Sequence, residues 1–146
     1  MSDCIFCKIA AGQIPCTRVH EDDVCLVFMD IQPISPGHTL LIPKKHYGSI
    51  MEMPPEESAH LGRQLPALAA AVKAALKSDG VNVLQNNGRS AGQVVPHLHV
   101  HLIPRWPGDG LGFRWPAKSA DAEILKQQAE AIRAGLKGWR APGEAR

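Results

Sequence analysis

No stretch of this 146-residue chain approaches the run of apolar residues that a membrane-spanning helix needs. Nor is there a basic block, or an interleaving of basic and aromatic residues, of the kind that builds a nucleic-acid groove. Sixteen Lys and Arg against 14 Asp and Glu leave a net charge of only +2. The start, Met1-Ser2-Asp3-Cys4, lacks a basic segment followed by an apolar stretch, so a cytoplasmic protein is expected, with neither a membrane nor a nucleic acid as partner. Small anionic ligands stay open. Internal repeats and long low-complexity tracts are missing as well. With 45% hydrophobic and 21% charged residues, residues 1–146 suit one globular domain with a real core and leave no room for a second.

Cysteine is scarce and unevenly placed: Cys4, Cys7, Cys16 and Cys25 all fall in the first quarter. In a reducing compartment a disulfide framework is not expected. Cys4-Ile5-Phe6-Cys7 suits a metal site; thiol redox chemistry competes, but its usual setting is a strand running into a helix rather than an extreme N-terminus. Cys16 and Cys25 are expected to pack as small apolar residues.

The order of elements points to an antiparallel α+β domain. A short helical turn over 5–11 closes at Gly12, strands follow over 17–20 and 24–30 around the acidic turn Glu21-Asp22-Asp23, and a third strand over 39–42 ends at Pro43. Residues 55–78 form the clearest helix, with Glu56 and Glu57 near its start, Lys73 and Lys77 near its end and Gly80 just beyond. Its apolar stripe is Leu61, Leu65, Leu68, Val72 and Leu76; Pro66, which cannot donate to the Gly62 carbonyl, predicts a kink. Strands over 81–85 and 97–103 complete a five-stranded sheet. Ser119 is placed to cap a last helix over about 120–137, with Ile124, Ile132 and Leu136 facing inward.

What is present in unusual density is histidine. In His97-Leu98-His99-Val100-His101-Leu102-Ile103 the side chains of a strand would alternate, setting three imidazoles on one face and Leu98, Val100 and Leu102 on the other. Neighbouring imidazoles would stand about 6 to 7 Å apart, a spacing that suits ligands or catalytic groups around one small anion. A solvated strand face that happens to carry histidine is the ordinary alternative. Just upstream, Asn86-Asn87-Gly88-Arg89-Ser90-Ala91-Gly92-Gln93 can bring backbone N–H groups to a phosphate, with Asn86 and Gln93 adding amide donors, though a plain hairpin loop has the same composition.

Together, loop and strand resemble the histidine triad (HIT) family of nucleotide hydrolases and transferases. Gly92-Gln93 leading into the alternating histidines carries the likeness, with Phe28-Met29-Asp30-Ile31, Pro36-Gly37-His38 and Ile42-Pro43-Lys44-Lys45-His46 upstream. It covers about residues 4–105, leaving 106–146 as a tail with a helix. Cys4-Ile5-Phe6-Cys7-Lys8-Ile9 and Ile103-Pro104-Arg105 are similar to the bacterial Hint-like branch. The resemblance implies a HIT-like α+β fold and a purine nucleotide as substrate. It implies His99 as the nucleophile that attacks the α-phosphorus, His101 on the phosphate oxygens or leaving group, and His38 beside them. Gln93 and the N–H groups around Gly92 and Val94 would stabilise the phosphate oxygens. Many relatives carry Ser or Thr where this chain has Val94, so a hydroxyl donor is absent. Asp30 would bind the ribose, although it could equally cap the turn before Pro33, and Phe28 and Ile31 would lie near the base. Leu26 and Val27 read as plain core.

Zinc is implied too, held by Cys4, Cys7, His46 and His97 as a structural Cys2His2 site. The implied activity is cleavage of the P–N bond of purine nucleoside phosphoramidates. Dinucleoside polyphosphate hydrolysis or nucleotidyl transfer is the alternative, a nucleotide-binding regulatory protein is the second, and thiol oxidoreduction is a distant third. The stretch from Trp106 to Trp115 is expected to shape the leaving-group side, and a homodimer through the long helix and a sheet edge is expected.

Overall fold

A computed structural model describes residues 3–112 and 116–143. The chain divides into two units, 1–109 and 110–146. In the first, helix α1 (Ile5–Ala10) precedes strands β1 (Arg18–Glu21), β2 (Cys25–Met29) and β3 (Thr39–Pro43). Helix α2 (Pro55–Leu76) and strands β4 (Gly80–Gln85) and β5 (Val100–Arg105) follow. Every neighbouring pair in the sheet order β1-β2-β3-β5-β4 is antiparallel. This is the expected α+β, five-stranded architecture.

The central strands are buried on both faces, which is why β2 and β3 read as unbroken apolar runs rather than alternating ones. Cys25, Val27, Leu41, Val100 and Leu102 pack with Leu61, Leu68 and Val72 of α2. Leu26, Phe28, Leu40 and Ile42 point the other way and pack with Phe6 and Ile9 of α1, with Cys16 at the margin. Leu26 and Val27 are core, as their neighbours suggested.

The long helix runs through Pro66 as one element. Pro66 is exposed, and so is Gly62, whose carbonyl loses its helical partner and is left to water. The helix stops at Lys77, in left-handed conformation at φ 52°, rather than at Gly80, which opens β4. The N–H groups of Lys77 and Ser78 donate to the carbonyls of Ala74 and Lys73, closing the last turn.

One correction concerns the histidines. The strand begins at Val100, so His97 and His99 lie in a lead-in before it that bends over 95–97, where the His97 N–H donates to the Val95 carbonyl. Pairing with β3 ends at Leu41 opposite Val100, and the Pro43 carbonyl instead accepts from the His97 ring, while the Leu98 N–H donates to the Tyr47 carbonyl. Proline has no N–H with which to extend the ladder.

The turn between β1 and β2 is locked to α2 through Asp22. Its Oδ1 accepts from the N–H groups of Val24 and Cys25, and its Oδ2 accepts from His60 Nε2 at 2.7 Å and Gln64 Nε2 at 3.0 Å. Burial alone would raise this carboxyl, but the hydrogen bonds from Cys25, His60 and Val24 outweigh it and hold Asp22 well below the usual carboxylate range. A depressed native pKa contributes stability above the unfolded-state value of about 4, and that contribution fades as pH falls through the native one. Asp22→Asn should therefore cost about 2 kcal/mol at pH 7. Its gap from the parent should close as urea melts are run from pH 5 towards pH 2; a gap that does not change with pH would reject the assignment.

In the second unit, α3 (Ala122–Gly138) is capped by Asp121, whose carboxylate accepts from the N–H groups of Glu123 and Ile124, and not by Ser119. Asp121 stands immediately before the first turn, where its oxygen reaches the free N–H groups; Ser119 is two residues too early. Ile124, Ile132 and Leu136 are exposed rather than inward-facing. Their spacing defines a face of the helix without supplying a partner for it.

Candidate functional site

The strand register sets one row of side chains across the sheet: Phe28 pairs with Leu40, Leu40 with His101, and His101 with Leu84. Directly opposed residues share a face, and all four line a cavity of about 570 Å³. Ile5, Phe6 and Ile9 of α1 add an apolar wall, and His38, His99, His101, Asp30 and Asn86 supply polar groups. The lead-in brings His99 to this row: its ring centroid lies 4.7 Å from that of His101, closer than two residues of ideal strand would give.

Hydrogen bonds assign the protons. His99 Nδ1 lies 2.6 Å from the His97 carbonyl oxygen, which can only accept, so Nδ1 carries the hydrogen and Nε2 keeps a free lone pair. The Ile34 N–H donates to His38 Nδ1 at 3.3 Å, so the His38 proton sits on Nε2, from which it donates to His101 Nδ1 at 2.9 Å. His101 is thereby left with its hydrogen on Nε2. Burial, then the nearby His99 and His38 charges, push His101 down to about 4, against a smaller upward pull from Asp30. Burial likewise lowers His38, with Asp30 opposing. Both rings are neutral at pH 7 and serve as oriented dipoles rather than cations. Gly37, at φ 82°, sets the turn before His38; a Cβ there would lie 2.6 Å from Leu76 Cγ.

Asp30 caps the turn before Pro33 and also lines the cavity. Its Oδ1 accepts from the Gln32 N–H, capping the turn, and the residue also lines the cavity with Oδ2 3.5 Å from His38 Nδ1. Phe28 is buried and Ile31 is exposed; both border the cavity.

Two residues of the loop over 86–93 behave differently from expectation. Gln93 is buried and does not reach the cavity: its Oε1 accepts from the Gly88 N–H, and its Nε2 donates to the Gly48 and Val95 carbonyls. A primary amide so placed satisfies the loop's own backbone and has no donor left over. The Gly92 N–H, in turn, donates to the Arg89 carbonyl at 2.9 Å. Val94 borders the cavity and is 89% exposed, and among the described residues its N–H is engaged in no hydrogen bond. The single-turn helix Arg89–Ala91 and the positive φ of Gly88 and Gly92 produce this bend. Asn86 remains at the cavity. Of the stretch expected to shape the leaving-group side, Trp115 lies outside the described residues.

A second cluster lies beside the first. Cys4 and Cys7 bracket one turn of α1, and their sulfurs meet the Nδ1 atoms of His46 and His97, the four ligand atoms all lying within 4.8 Å of one another. Cys4 Sγ to His97 Nδ1 is 3.4 Å, Cys7 Sγ to His46 Nδ1 3.3 Å, and the two Nδ1 atoms are 3.3 Å apart. A tetrahedral zinc ion with its usual bond lengths sets N···N and N···S edges of about 3.3 and 3.5 Å, so the donor set fits. His97 Nε2 lies 2.9 Å from the Pro43 carbonyl, and hydrogen bonding there leaves Nδ1 as the free ligand atom. Burial, with Cys4 adding to it, raises the Cys7 thiol; a divalent cation would reverse that. These four residues can hold a metal. Phe6, between the two cysteines, meets the His97 and His99 rings edge-on, with centroids 5.8 and 5.3 Å away.

Sequence patterning missed three parts of this site. The His97 carbonyl is a backbone group and leaves no trace in residue identity. Asn87, whose Oδ1 accepts from the Ile50 N–H, reads as one more loop polar. The wall from α1 was detectable, since Ile5, Phe6 and Ile9 are apolar residues within the same helical turn as the Cys-x-x-Cys pair.

Comparison with known proteins agrees with this geometry. The HIT domain family matches residues 11–108. The adenosine 5′-monophosphoramidase hnt1 of Schizosaccharomyces pombe is 43% identical over 136 residues, covering 92% of this chain and 98% of that protein. Adenylylsulfatase HINT3 of Arabidopsis thaliana is 44% identical over 130 residues, 89% of this chain, which spans only 64% of that longer protein. Among solved structures, one from Streptococcus mutans superposes with a TM-score of 0.89 at 43% identity, over 93% of this chain and 87% of that one. A zinc-bound histidine triad protein from Mycobacterium smegmatis does so with a TM-score of 0.72 at 37% identity, over 94% and 97%. The chain belongs to the histidine triad (HIT) family, in its Hint-like branch.

Proposed function

We propose that this protein is a nucleotide hydrolase that cleaves the P–N bond of purine nucleoside 5′-phosphoramidates through a nucleotidyl-His99 intermediate. The observation that carries the reading is the 2.6 Å contact between His99 Nδ1 and the His97 carbonyl, which leaves Nε2 bare on a residue that lines the cavity. Neutral imidazole is a competent nucleophile at phosphorus, and holding its far proton on a carbonyl supports the positive charge that the ring acquires. As the His99–phosphorus bond forms, the P–N bond breaks, and a substrate protonated on nitrogen leaves as a neutral amine. Water then attacks phosphorus, the His99–phosphorus bond breaks, the ring recovers its lone pair on Nε2, and the water's proton passes to solvent as the nucleotide is released.

His101 Nε2–H and the Val94 N–H are the donors for the phosphate oxygens, with His38 holding His101 in the required tautomer. Asp30 suits the ribose hydroxyls as an acceptor, and Phe28, Ile31 and the α1 wall suit a flat base. The relatives named as a phosphoramidase and an adenylylsulfatase support attack at a nucleotide's α-phosphorus. The metal cluster is read as a structural zinc site: bound there, the ion would cross-link α1 to the lead-in and the segment after β3. The reading also includes a homodimer through the free edge of β4, where Val83 is exposed, and the adjoining α2, with Ile50 and Met51 exposed in the short turn that precedes it; sedimentation velocity distinguishes dimer from monomer.

The deciding experiment compares adenosine 5′-phosphoramidate with a diadenosine polyphosphate. The phosphoramidate should turn over at least tenfold faster in kcat/KM, and acid-quenched protein should carry one adenylyl group, on His99. Faster turnover of the dinucleotide would replace the proposed substrate class, and an adduct on another residue would remove the mechanism.

A further inference from the structure

We propose that Gln93 is a positioning residue that couples metal occupancy at the cysteine-histidine cluster to nucleotide binding at the phosphate loop. The inference rests on the reading of residues 86–95 as that loop. Five consecutive residues link the two sites. His46 is a metal ligand, and the Tyr47 carbonyl accepts from Leu98 N–H at 2.6 Å. The Gly48 carbonyl accepts from Gln93 Nε2 at 2.7 Å. Ser49 Oγ and the Gly48 N–H both donate to the Glu52 carboxylate. The Ile50 N–H donates to Asn87 Oδ1 at 2.8 Å. Tyr47 and Ser49 are buried, so the segment has little freedom to absorb a displacement.

On the loop side, Gln93 holds three backbone groups at once: the Gly88 N–H, the Val95 carbonyl and, across the gap, the Gly48 carbonyl. Gly88 and Val95 sit on either side of the bend that presents the Val94 N–H. Moving Gly48 therefore moves the donor meant for phosphate. Asn87 makes a second, parallel link, with Gln85 Nε2 donating to the same Oδ1 at 3.1 Å. Without a cation, the 3.3 Å contact between the His46 and His97 Nδ1 atoms needs a hydrogen on one of the two nitrogens, whereas a metal needs both bare, so occupancy changes what holds His46 and, through it, residues 47–50. Metal and nucleotide then favour the same arrangement of this segment, and the coupling is reciprocal by linkage.

The test measures zinc affinity by competition with a chromogenic chelator, with and without saturating AMP. In the parent protein AMP should tighten zinc about fivefold or more, and zinc should tighten AMP by the same factor, as measured by calorimetry. In Gln93→Ala and in Gln93→Glu, zinc stoichiometry should stay at one per chain while the AMP effect falls to about one. Glutamate keeps the acceptor for the Gly88 N–H but offers no donor to the two carbonyls, so it separates the hydrogen bonds from side-chain volume. If Gln93 variants do not fold, Asn87→Ala should show the effect reduced without being lost. An AMP effect that is equal in parent and variants, or absent in a parent that binds AMP, overturns the coupling alone. A parent that binds no AMP at all overturns the nucleotide reading and the coupling with it.

Discussion

His99→Ala is expected to lower kcat/KM for a nucleoside phosphoramidate by about 10⁴-fold or more. The expectation follows from roles that no neighbour can assume. His101 Nε2 carries a hydrogen, and its Nδ1 lone pair accepts from His38, so it has no free lone pair to offer phosphorus. His97 Nε2 faces the Pro43 carbonyl, and its Nδ1 faces the cysteines. His38 presents Nδ1 to a backbone N–H. Of the four imidazoles in and beside the cavity, only His99 has an unengaged nitrogen lone pair. The variant should still bind AMP and should melt within a few degrees of the parent, since the ring packs on Phe6 without anchoring a strand. His101→Ala should be milder, about 10²-fold to 10³-fold, because it removes a donor rather than the nucleophile. Retained turnover in His99→Ala, with the substrate shown to be free of contaminating hydrolase activity, would discard the covalent route.

Removing the metal is the second large effect. Protein purified without added zinc should carry about one zinc per chain. Chelation, or Cys4→Ser with Cys7→Ser, should lower Tm by about 10 °C, the shift expected if the ion contributes several kcal/mol to a domain of this size. The cluster joins three segments far apart in sequence: Cys4 and Cys7 in α1, His46 after β3, and His97 before β5. Serine would leave the buried His97 beside a hydroxyl that binds zinc poorly. Because α1 forms a wall of the cavity, nucleotide affinity should weaken along with stability. A metal-free preparation with unchanged Tm would show that the donors pair among themselves and that no ion is needed.

Much of this was legible in the residues, for reasons that also explain the failures. Two-residue alternation placed His101 on the cavity face and Val100 and Leu102 on the α2 face, because pleat geometry follows from the backbone alone. The same rule overran the strand at His97 and His99, since the β3–β5 ladder ends at Leu41 opposite Val100 although β3 runs on to Pro43, which has no N–H with which to extend it. The four metal-binding candidates could be grouped only through family resemblance; spacing showed the cysteine pair but not its distant histidines. Gln93 was expected to touch substrate because an amide beside glycines looks like a donor for phosphate. Its actual partners are backbone groups on another loop, which residue identity does not reveal. The last helix was recognisable by period, yet Asp121 rather than Ser119 caps it, and the period carried no information about what its apolar face meets.

Phe6 restricts how this site can diverge. It lies between two cysteines that point to the metal cluster, its ring meets both His97 and His99 edge-on, and it also borders the cavity. On the proposed function, a substitution there made to alter base preference would simultaneously tilt the proposed nucleophile and loosen a candidate metal ligand. Neighbouring Ile5 borders the same cavity but is 43% exposed. New base preferences can therefore arise through Ile5, while Phe6 stays tied to its three roles.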